Sequence, residues 1–415
     1  MGRSDPREAR GRVGGCSLAG AENLRTEFLS FSPPLIGEEE IEEVVKALRS
    51  GWITTGPRVD RFQSEFREFI GAEAALAVNS CTGALHIALA VLGIGPGDRV
   101  ISTPMTFAST IHVIEHVGAQ PVLVDVEPDT LNIDPELIEA AVKADPTIKA
   151  IMPVHLYGHP SDMDAILDIA RRHGLAVIED AAHSLPASYR GRMIGAPAGD
   201  DVTNLVAFSF YANKNLATGE GGMLTGPQHL IDQARKWSLH GMSRDAHQRY
   251  AEEGSWYYEV ELPGFKYNMP DVQAAIGIHQ LARLPQMQRR RREIVDQYDE
   301  GLAGMAGLEL PVQRRDVESA CHVYAIRLNL ERLTINRSRF IAELRQRNIG
   351  SSVHFIPIHI HPYYRDKYGF TPDQFPVAYG AYQRLVSLPL SPKFTDGDIA
   401  DVIEAVGDIL DKHTS

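Results

Sequence analysis

The spacing of hydrophobic and polar positions changes repeatedly along the first two thirds of the chain. Ile41, Val45 and Leu48 recur at helical spacing and predict a helix over Glu38–Ser50 that ends before Gly51. Further helical patterns predict helices at Thr82–Leu92, Phe107–Val117, Pro135–Val142, Met163–His173 and His229–Ser238. Short apolar runs between them predict strands at Ala75–Asn79, Arg99–Thr103, Pro121–Val126, Ala150–His155, Leu175–Asp180, Leu205–Phe210 and Gly222–Thr225.

This alternation predicts an α/β fold with a mostly parallel seven-stranded sheet covered by helices on both faces. In such sheets, ligands bind beyond the carboxyl ends of the strands. Candidate functional side chains should therefore come directly after strands.

The pattern changes after residue 280. A long polar helix is predicted over Arg283–Leu302, with Pro285 in its first turn. A strand at Val323–Leu328 and helices at Arg337–Arg347 and Asp396–Lys412 follow.

Three parts of the chain are therefore expected. Residues 29–282 should form a large α/β domain, and residues 283–415 a smaller α+β domain. Residues 1–28 are rich in Gly, Arg and Ser and show no period, which predicts a flexible N-terminal arm.

Composition and charge exclude several classes of protein. The net charge is −13, which argues against a nucleic-acid partner. No apolar run approaches the 18 residues of a membrane span, and the first residues lack the apolar core of a signal peptide. The three cysteines, Cys16, Cys81 and Cys321, do not suit a disulfide framework, so a cytoplasmic location is expected.

Two candidate sites follow the first predicted strands. The segment Asn79–Gly83 leads from a strand into a helix, where exposed amides bind anions and Gly83 permits close approach. A plain helix cap by Ser80 or Thr82 explains the same residues. Phe107 could lie flat on a cofactor ring or simply occupy the core.

Two further sites follow later strands. Asp180 ends a strand and His183 follows; the carboxylate could keep a pyridine nitrogen protonated, or it could cap a helix. Ser209 could bind a phosphate, and Lys214 lies in a glycine-flanked loop. A desolvated lysine has a lowered pKa and can form a Schiff base, although any one lysine is usually a surface group. The segment Pro263–Met269 alone reads as a surface turn.

At these residues the sequence resembles the DegT/StrS family of sugar aminotransferases, within the fold-type I pyridoxal-phosphate superfamily. The resemblance runs from about Phe31 to Leu410. The string SFYANKNLATGEGGM resembles the lysine motif of the family, and IEDAAHS its aspartate motif. GFKYNMPDVQAAIG resembles the segment by which one subunit completes its neighbour's site, and LRSGWITTGP is similar to members that act on 4-keto UDP-sugars.

The resemblance implies pyridoxal 5′-phosphate as cofactor. It implies that Lys214 forms the Schiff base and moves the proton, that Asp180 pairs with the pyridine nitrogen, and that His183 faces the phenolic oxygen. Phe107 would stack on the ring. The residues implied to hold the phosphate are Thr82, Gly83, Ser209 and, across a subunit interface, Asn268. The residues implied to bind the sugar substrate are Thr54, His354 and His359.

The implied reaction transfers an amino group, with L-glutamate as donor, to a nucleotide-linked keto-sugar of the 4-keto UDP-sugar kind, in amino-sugar and polysaccharide biosynthesis. The implied assembly is a homodimer with shared active sites. Two departures leave the exact sugar open. Cys81 stands where a smaller residue is common, and Ser243–Glu261 is a long stretch that could reshape the sugar pocket.

Three other functions compete with this one. A sugar dehydratase of the same scaffold carries His at the position of Lys214, which argues against that reaction. A non-enzymatic pyridoxal-phosphate-binding regulator would need a DNA-binding module, and none is visible. A metal site on His354, His359 and His361 fits no standard zinc spacing, so no metal is expected.

Overall fold

The computed structural model describes residues 25–199, 201–243 and 257–414. The strands of its first part are β1 (Ala74–Val78), β2 (Arg99–Ser102), β3 (Gln120–Leu123), β4 (Ile148–Ile151), β5 (Ala176–Asp180), β6 (Ser188–Tyr189), β7 (Arg192–Met193), β8 (Asn204–Ser209) and β9 (Gly222–Gly226). Seven of them form one sheet in the order β1–β9–β8–β5–β4–β2–β3. The strands from β8 to β3 run parallel, and β9 is antiparallel to both β1 and β8. The predicted mostly parallel seven-stranded sheet is confirmed.

Both faces of this sheet are buried. In β8, Val206 and Phe208 belong to one apolar cluster, whereas Leu205 and Ala207 belong to the other. Successive residues of a strand point to opposite faces, so each face needs its own cover of helices. This arrangement leaves the ends of the strands as the places where polar side chains collect.

The helices run over Glu38–Ser50, Pro57–Ile70, Cys81–Val91, Ala108–His116, Pro135–Ala144, Met163–His173, Gln228–Ser238, Asp271–Leu302, Arg337–Gln346, Pro362–Tyr368, Pro376–Arg384 and Asp396–His413. Most of them lie close to their predicted positions. Pro57–Ile70, Pro362–Tyr368 and Pro376–Arg384 were not predicted, although a proline in the first turn of each is a common helix start. Pro57–Ile70 covers one face of the sheet with buried Phe62 and Phe66.

The predicted start of the long helix at Arg283 is wrong. The helix begins at Asp271 and continues to Leu302, and Pro285 lies in its interior instead of its first turn. Proline removes one intrahelical hydrogen bond, but Leu284 and Met287 beside it are buried, and their packing carries the helix through. The helix therefore crosses the expected border between the two domains, and that division stays a prediction.

The last third of the described chain contains a smaller antiparallel sheet. Its strands are β10 (Leu308–Glu309), β12 (Tyr324–Leu328) and β13 (Leu385–Leu388), with β12 between the other two, and the separate β11 (Val317–Glu318) pairs with β6. Tyr298 of the long helix, Phe340 and Ile399 belong to the apolar cluster packed against this sheet. An α+β unit in this part of the chain agrees with the sequence pattern.

Parts of two predicted segments lie outside the described residues. These are residues 1–24 of the expected arm, which include Cys16, and residues 244–256 of the stretch 243–261. Arg25, where the description begins, makes ion pairs of 2.7 and 2.6 Å with Asp398 and Asp401 of the last helix. The final residues assigned to the arm are thus held against the C-terminal unit. Among the helices described, none combines the length and apolar character needed to cross a membrane.

Candidate active site

The predicted site residues follow strands that end at one edge of the central sheet. Asp180 is the last residue of β5 and Ser209 the last of β8, while Gly83 and Phe107 come soon after β1 and β2. Lys214 lies in the loop that follows β8. The carboxyl ends of parallel strands meet at the same edge, so residues far apart in the sequence come together there.

Asp180 is buried at the base of this cluster. Its Oδ2 accepts a hydrogen bond of 2.7 Å from the hydroxyl of Thr110, and its Oδ1 accepts one of 3.1 Å from the backbone N–H of Ala182. Burial raises the pKa of Asp180, while the bonds from Thr110 and Ala182 and the charge of Lys214 act in the opposite direction. Residues 181–187 form no helix, so the alternative role as a helix cap does not apply.

Cys81 closes the space beside Asp180. Its Sγ lies 3.9 Å from Oδ1 of Asp180 and 3.5 Å from the carbonyl oxygen of Ala207. Burial and the neighbouring carboxylate raise the pKa of the thiol well above its ordinary value. Cys81 is therefore a neutral group that fills the sheet side of the cluster.

Lys214 is held in a tight loop. Its backbone N–H donates to the carbonyl of Tyr211 at 2.9 Å, and that of Thr218 donates to the carbonyl of Phe210 at 2.8 Å. The side chain is half-buried, and burial lowers the pKa of the amine to about 8, although the charge of Asp180 raises it. Within the described residues, its Nζ has no hydrogen-bond partner. Roughly a tenth of the Lys214 amines would then be uncharged at neutral pH, whereas a surface lysine is almost fully charged.

His183 is buried and uncharged. Its Nδ1 accepts a hydrogen bond of 3.3 Å from the backbone N–H of Tyr157. Burial, together with the charge of Lys214, lowers its pKa well below the ordinary value. A neutral ring that accepts at Nδ1 carries its proton on Nε2, so His183 offers an N–H donor at its other nitrogen.

The turn between β1 and the helix Cys81–Val91 has the geometry of an anion site. Ser80 caps the helix by accepting from the N–H of Gly83 at 3.0 Å, so the capping interpretation also holds. A Cβ on Gly83 would lie 2.9 Å from Oδ1 of Asn79 and 3.3 Å from the ring of Tyr267. Thr82 is half-buried in the first turn. A side chain at position 83 would crowd Asn79 and Tyr267, and the backbone there is at the positive end of a helix.

Phe107 does not belong to the core. Its side chain is 64% exposed, although it directly precedes the helix Ala108–His116. Its ring centroid lies 6.2 Å from that of Phe355. An exposed aromatic face at the mouth of a buried polar cluster suits a stacking role better than a core role.

Asn268 and Thr54 lie together beside β1, where Asn268 forms a bridge with Val78. The side-chain Nδ2 of Asn268 donates to the hydroxyl of Thr55 at 2.6 Å. Thr54 is exposed, and its carbonyl accepts from the N–H of Asp271 at 3.0 Å. No hydrogen bond joins Asn268 to Lys214 among the described residues, and its role toward another subunit stays a prediction.

His354 lies at the cluster, in the segment that bridges to β13 through Ser352 and Ser387. Its Nδ1 is 2.9 Å from the hydroxyl of Ser387, and its ring stacks on Phe31 with centroids 5.3 Å apart. Its carbonyl accepts from the hydroxyl of Tyr157. Burial and the charge of Lys214 lower its pKa to about 4. His354 therefore lies close enough to Lys214 for the lysine charge to affect its pKa. A residue that binds the substrate is expected in such a place.

His359 is not brought to the same place. It is completely buried, its ring packs against Phe375 with centroids 4.8 Å apart, and neither ring nitrogen has a partner in the described residues. Its substrate role stays a prediction that these contacts do not support. No group of three His, Cys, Asp or Glu in the described ranges is arranged to hold a metal ion.

Two residues of the cluster were not identified from the sequence. Thr110 bonds Asp180, and His322 packs on His183 with ring centroids 4.5 Å apart. Thr110 lies one turn into a predicted helix and could have been found as a polar residue on an apolar face. His322 comes from the C-terminal unit, and no local pattern marks it. Phe355 lies in the segment 354–361, which the resemblance implies to line the substrate mouth, and it stacks on His183 with ring centroids 5.7 Å apart.

The predicted cofactor fits these residues. Pyridoxal phosphate requires an amine, a carboxylate for its ring nitrogen, a stacking surface and an anion site. Lys214 supplies an amine of lowered pKa and Asp180 a buried carboxylate, whose two oxygens have lone pairs beyond those already engaged. Phe107 offers an exposed ring, and the Gly83 turn offers backbone amides that no Cβ obstructs.

Comparisons with known proteins identify the family of the chain. Residues 34–407 match the model of the DegT/DnrJ/EryC1/StrS aminotransferase family. The chain is 52% identical over 388 residues to the spore coat polysaccharide biosynthesis protein SpsC of Bacillus subtilis, with 93% of this chain and 98% of that protein covered.

Solved structures are similar over nearly the whole chain. Spr1654 from Streptococcus pneumoniae, in its PMP form, is 35% identical with a TM-score of 0.85, covering 92% of this chain and 99% of the other. Its PLP form gives 34% and 0.84 over 93% and 99%. The sugar aminotransferase CalS13 from Micromonospora echinospora is 29% identical with a TM-score of 0.80, covering 91% and 99%. The predicted fold type and the predicted cofactor, pyridoxal phosphate, are confirmed.

Proposed function

Because the chain belongs to the DegT/DnrJ/EryC1/StrS aminotransferase family, we propose that it transfers an amino group from L-glutamate to a keto-sugar carried on a nucleotide. The observation that carries this function is the placement of Lys214, a lysine with a pKa of about 8, in one buried cluster with Asp180 and His183. A surface lysine would be charged at neutral pH and could not act as a base.

Bound pyridoxal phosphate supplies an electron sink for the charge that remains when a proton leaves the substrate carbon. Lys214 takes that proton and returns it to the neighbouring carbon position. A pKa near 8 suits both directions, because a catalytic acid–base group works best when its pKa lies close to the operating pH.

Asp180 keeps a negative charge where the ring nitrogen would be held. Its burial alone would favour the neutral acid, and the hydrogen bonds from Thr110 and Ala182 stabilise the anion. A charge in a buried site interacts more strongly than it would in water. Asp180 would therefore stabilise a protonated ring nitrogen, which would keep the ring electron-withdrawing.

His183 and Phe107 orient the ring. The Nε2–H of His183 is the donor left after Nδ1 accepts from Tyr157, and we assign it to the phenolic oxygen. The exposed ring of Phe107 would stack on one face of the cofactor ring. Thr82, Gly83 and Ser209 hold the phosphate, and each lies at a helix start or strand end of this edge.

Different observations support the proposal that the substrate is a sugar. The relative SpsC is named for polysaccharide biosynthesis and the neighbour CalS13 for sugar amination. The segment Leu48–Pro57, similar to members that act on 4-keto UDP-sugars, includes Thr54, which is exposed next to the Thr55–Asn268 contact. His354 closes the cluster from the C-terminal side.

A panel of nucleotide-linked 4-keto and 3-keto sugars, each offered with L-glutamate, tests this function. Mass spectrometry should find a product in which one keto oxygen is replaced by an amino group, and 2-oxoglutarate should appear in equal amount. Alanine and aspartate as donors, and free sugars without the nucleotide, are the matched comparisons. Amination of free keto acids only, with no keto-sugar product, would contradict the proposal.

We also propose a two-fold homodimer in which the partner's Asn268 completes the phosphate site. Asn268 bonds Thr55 in its own chain, and no described hydrogen bond joins it to its own lysine. A cytoplasmic location agrees with the free thiols of Cys81 and Cys321 in the described part of the chain.

A further inference from the structure

His322 joins the lysine loop to the C-terminal unit. It precedes β12 by two residues and is buried, yet its Nδ1 lies 3.0 Å from Oδ1 of Asn215, the residue next to Lys214. Its ring also packs against His183. The imidazole of His322 therefore contacts both His183 and the residue next to Lys214.

The position of the proton on His322 follows from the Asn215 amide. The Nδ2 of Asn215 donates to the carbonyl of Ala320 at 2.7 Å. A carbonyl can only accept, so the amide nitrogen must face Ala320 and the amide oxygen must face His322. The Nδ1 of His322 then carries the proton and donates it to Asn215.

The two histidines hold their protons on opposite nitrogens. His183 accepts at Nδ1 and carries its proton on Nε2, whereas His322 donates from Nδ1 and keeps a lone pair on Nε2. Burial, then the proximity of His183 and Lys214, lowers the pKa of His322 well below its ordinary value. Both rings remain neutral and add no second positive charge beside the lysine.

Backbone bonds close the same arrangement. The N–H of His322 donates to the carbonyl of Tyr157 at 3.1 Å, and the N–H of Tyr157 in turn donates to His183. The N–H of Ala320 donates to the carbonyl of Gly158 at 2.9 Å. The short segment 320–323 thus holds the partner of His183 and the neighbour of Lys214 at once.

We propose that His322 is a positioning residue for Lys214, which acts by donating its Nδ1–H to Asn215 and so fixing the loop that carries the amine. The inference rests on the proposed function of Lys214 as the proton carrier. If the Asn215 anchor is lost, the loop opens, water reaches the ammonium group, and the pKa of Lys214 rises toward that of an ordinary lysine.

Two substitutions of His322 distinguish the roles of its two ring nitrogens. In His322→Asn the amide nitrogen falls near the place of Nδ1 and retains the donor to Asn215. In His322→Gln it falls near Nε2 and loses that donor. His413→Gln is the matched control, because His413 is a hydrogen-bonded histidine of the C-terminal unit, 2.9 Å from Glu343.

The main measurement is the pKa of Lys214 in holoenzyme loaded with pyridoxamine phosphate, where the lysine carries no covalent bond. Competitive acetylation across the pH range, read on the Lys214 peptide by mass spectrometry, gives this value. We expect it to rise by about one unit or more in His322→Gln and to stay near wild type in His322→Asn and His413→Gln.

Turnover supplies the second readout. We expect kcat to fall about tenfold or more in His322→Gln with a smaller change in KM, because misplacing the amine affects the chemical step. Asn215→Ala removes the same bond from the other side and should raise the pKa of Lys214 alike. The Asn215→Ala variant still tests the inference if His322→Gln does not fold.

Two results would overturn the inference. One is an unchanged pKa of Lys214 in Asn215→Ala or His322→Gln, even with lowered thermal stability. The other is equal damage in His322→Asn and His322→Gln. The lysine titration needs no sugar substrate, so a failure of the keto-sugar panel would leave this test intact.

Discussion

The hydroxyl of Thr110 donates a hydrogen bond of 2.7 Å to Oδ2 of Asp180, and both residues are buried. Thr110 belongs to the helix that Phe107 precedes. One segment therefore supplies both Phe107, which is expected to stack on the cofactor, and Thr110, which holds Asp180. A neutral hydroxyl stabilises the aspartate anion without neutralising it.

Thr110→Val should raise the pKa of Asp180 further, because burial favours the neutral acid and one stabilising bond is lost. Less of the anion is then present at a given pH. The acidic limb of kcat against pH should move upward by about one unit. Thr110→Ser keeps the hydroxyl and should follow wild type; coincident limbs for all three proteins would show that the bond has no role.

Lys214→Ala should lower turnover by about a thousandfold or more, the scale of a lost general acid–base group. The cofactor should still bind through its phosphate and ring contacts. Borohydride treatment of the wild type should attach the cofactor to the peptide that contains Lys214. Lys46→Ala, which alters an exposed lysine, is the control, and a label on a different lysine would refute the assignment.

Asp180→Asn should lose about a hundredfold or more in kcat while it retains the cofactor. An amide cannot stabilise a protonated ring nitrogen by charge, so the electron sink weakens. Steady-state rates and the absorption spectrum of the bound cofactor measure the two effects separately. Near-normal turnover would mean that Asp180 has only a structural role.

Gly83→Ala should weaken cofactor binding by about tenfold, because the new Cβ would lie 2.9 Å from Oδ1 of Asn79 and displace the turn. Titration with pyridoxal phosphate gives the dissociation constant. Gly93→Ala has no atom within 4 Å of its Cβ and tests the cost of strained backbone alone, since Gly93 has a φ of 67°. Equal affinity of Gly83→Ala and wild type would place the phosphate elsewhere.

Mixing Lys214→Ala with Asn268→Ala should restore activity if sites are shared across a two-fold interface. In the heterodimer, one site receives both defects and the other receives neither. At most about half of the heterodimer sites should work. Each variant alone is the control, and subunit exchange is verified by mass spectrometry of differently labelled chains. No gain despite exchange would mean that Asn268 serves its own chain.

The strand-end residues could be predicted because their positions follow from local patterns. A buried strand that ends in Asp180 must present that carboxylate at the ligand-binding edge, and the loop of Lys214 follows the next such strand. The order of these segments along the chain then identified the family. The exposure of Phe107 needed the structure, since sequence favours a core position for an apolar aromatic residue.

The residues that local patterns missed act through long-range packing. His322 lies between β11 and β12, and its role depends on contacts with Asn215 and His183, more than 100 positions earlier. The start of the long helix was misplaced because Pro285 resembles a first-turn signal. Tertiary packing around Pro285 determines whether the helix continues through it, and the periodicity of the sequence does not reveal that packing.

The late position of segment 320–323 in the chain determines when its contacts can form during synthesis. A ribosome-bound chain that ends before β12 already contains the central sheet, with Asp180 and Lys214. It lacks the segment that bonds Asn215 and the turn at Tyr157. Contacts of such long sequence separation form late. The hydrogen bonds that hold the loop of Lys214 to residues 320–323 can therefore form only after synthesis has reached the last quarter of the protein.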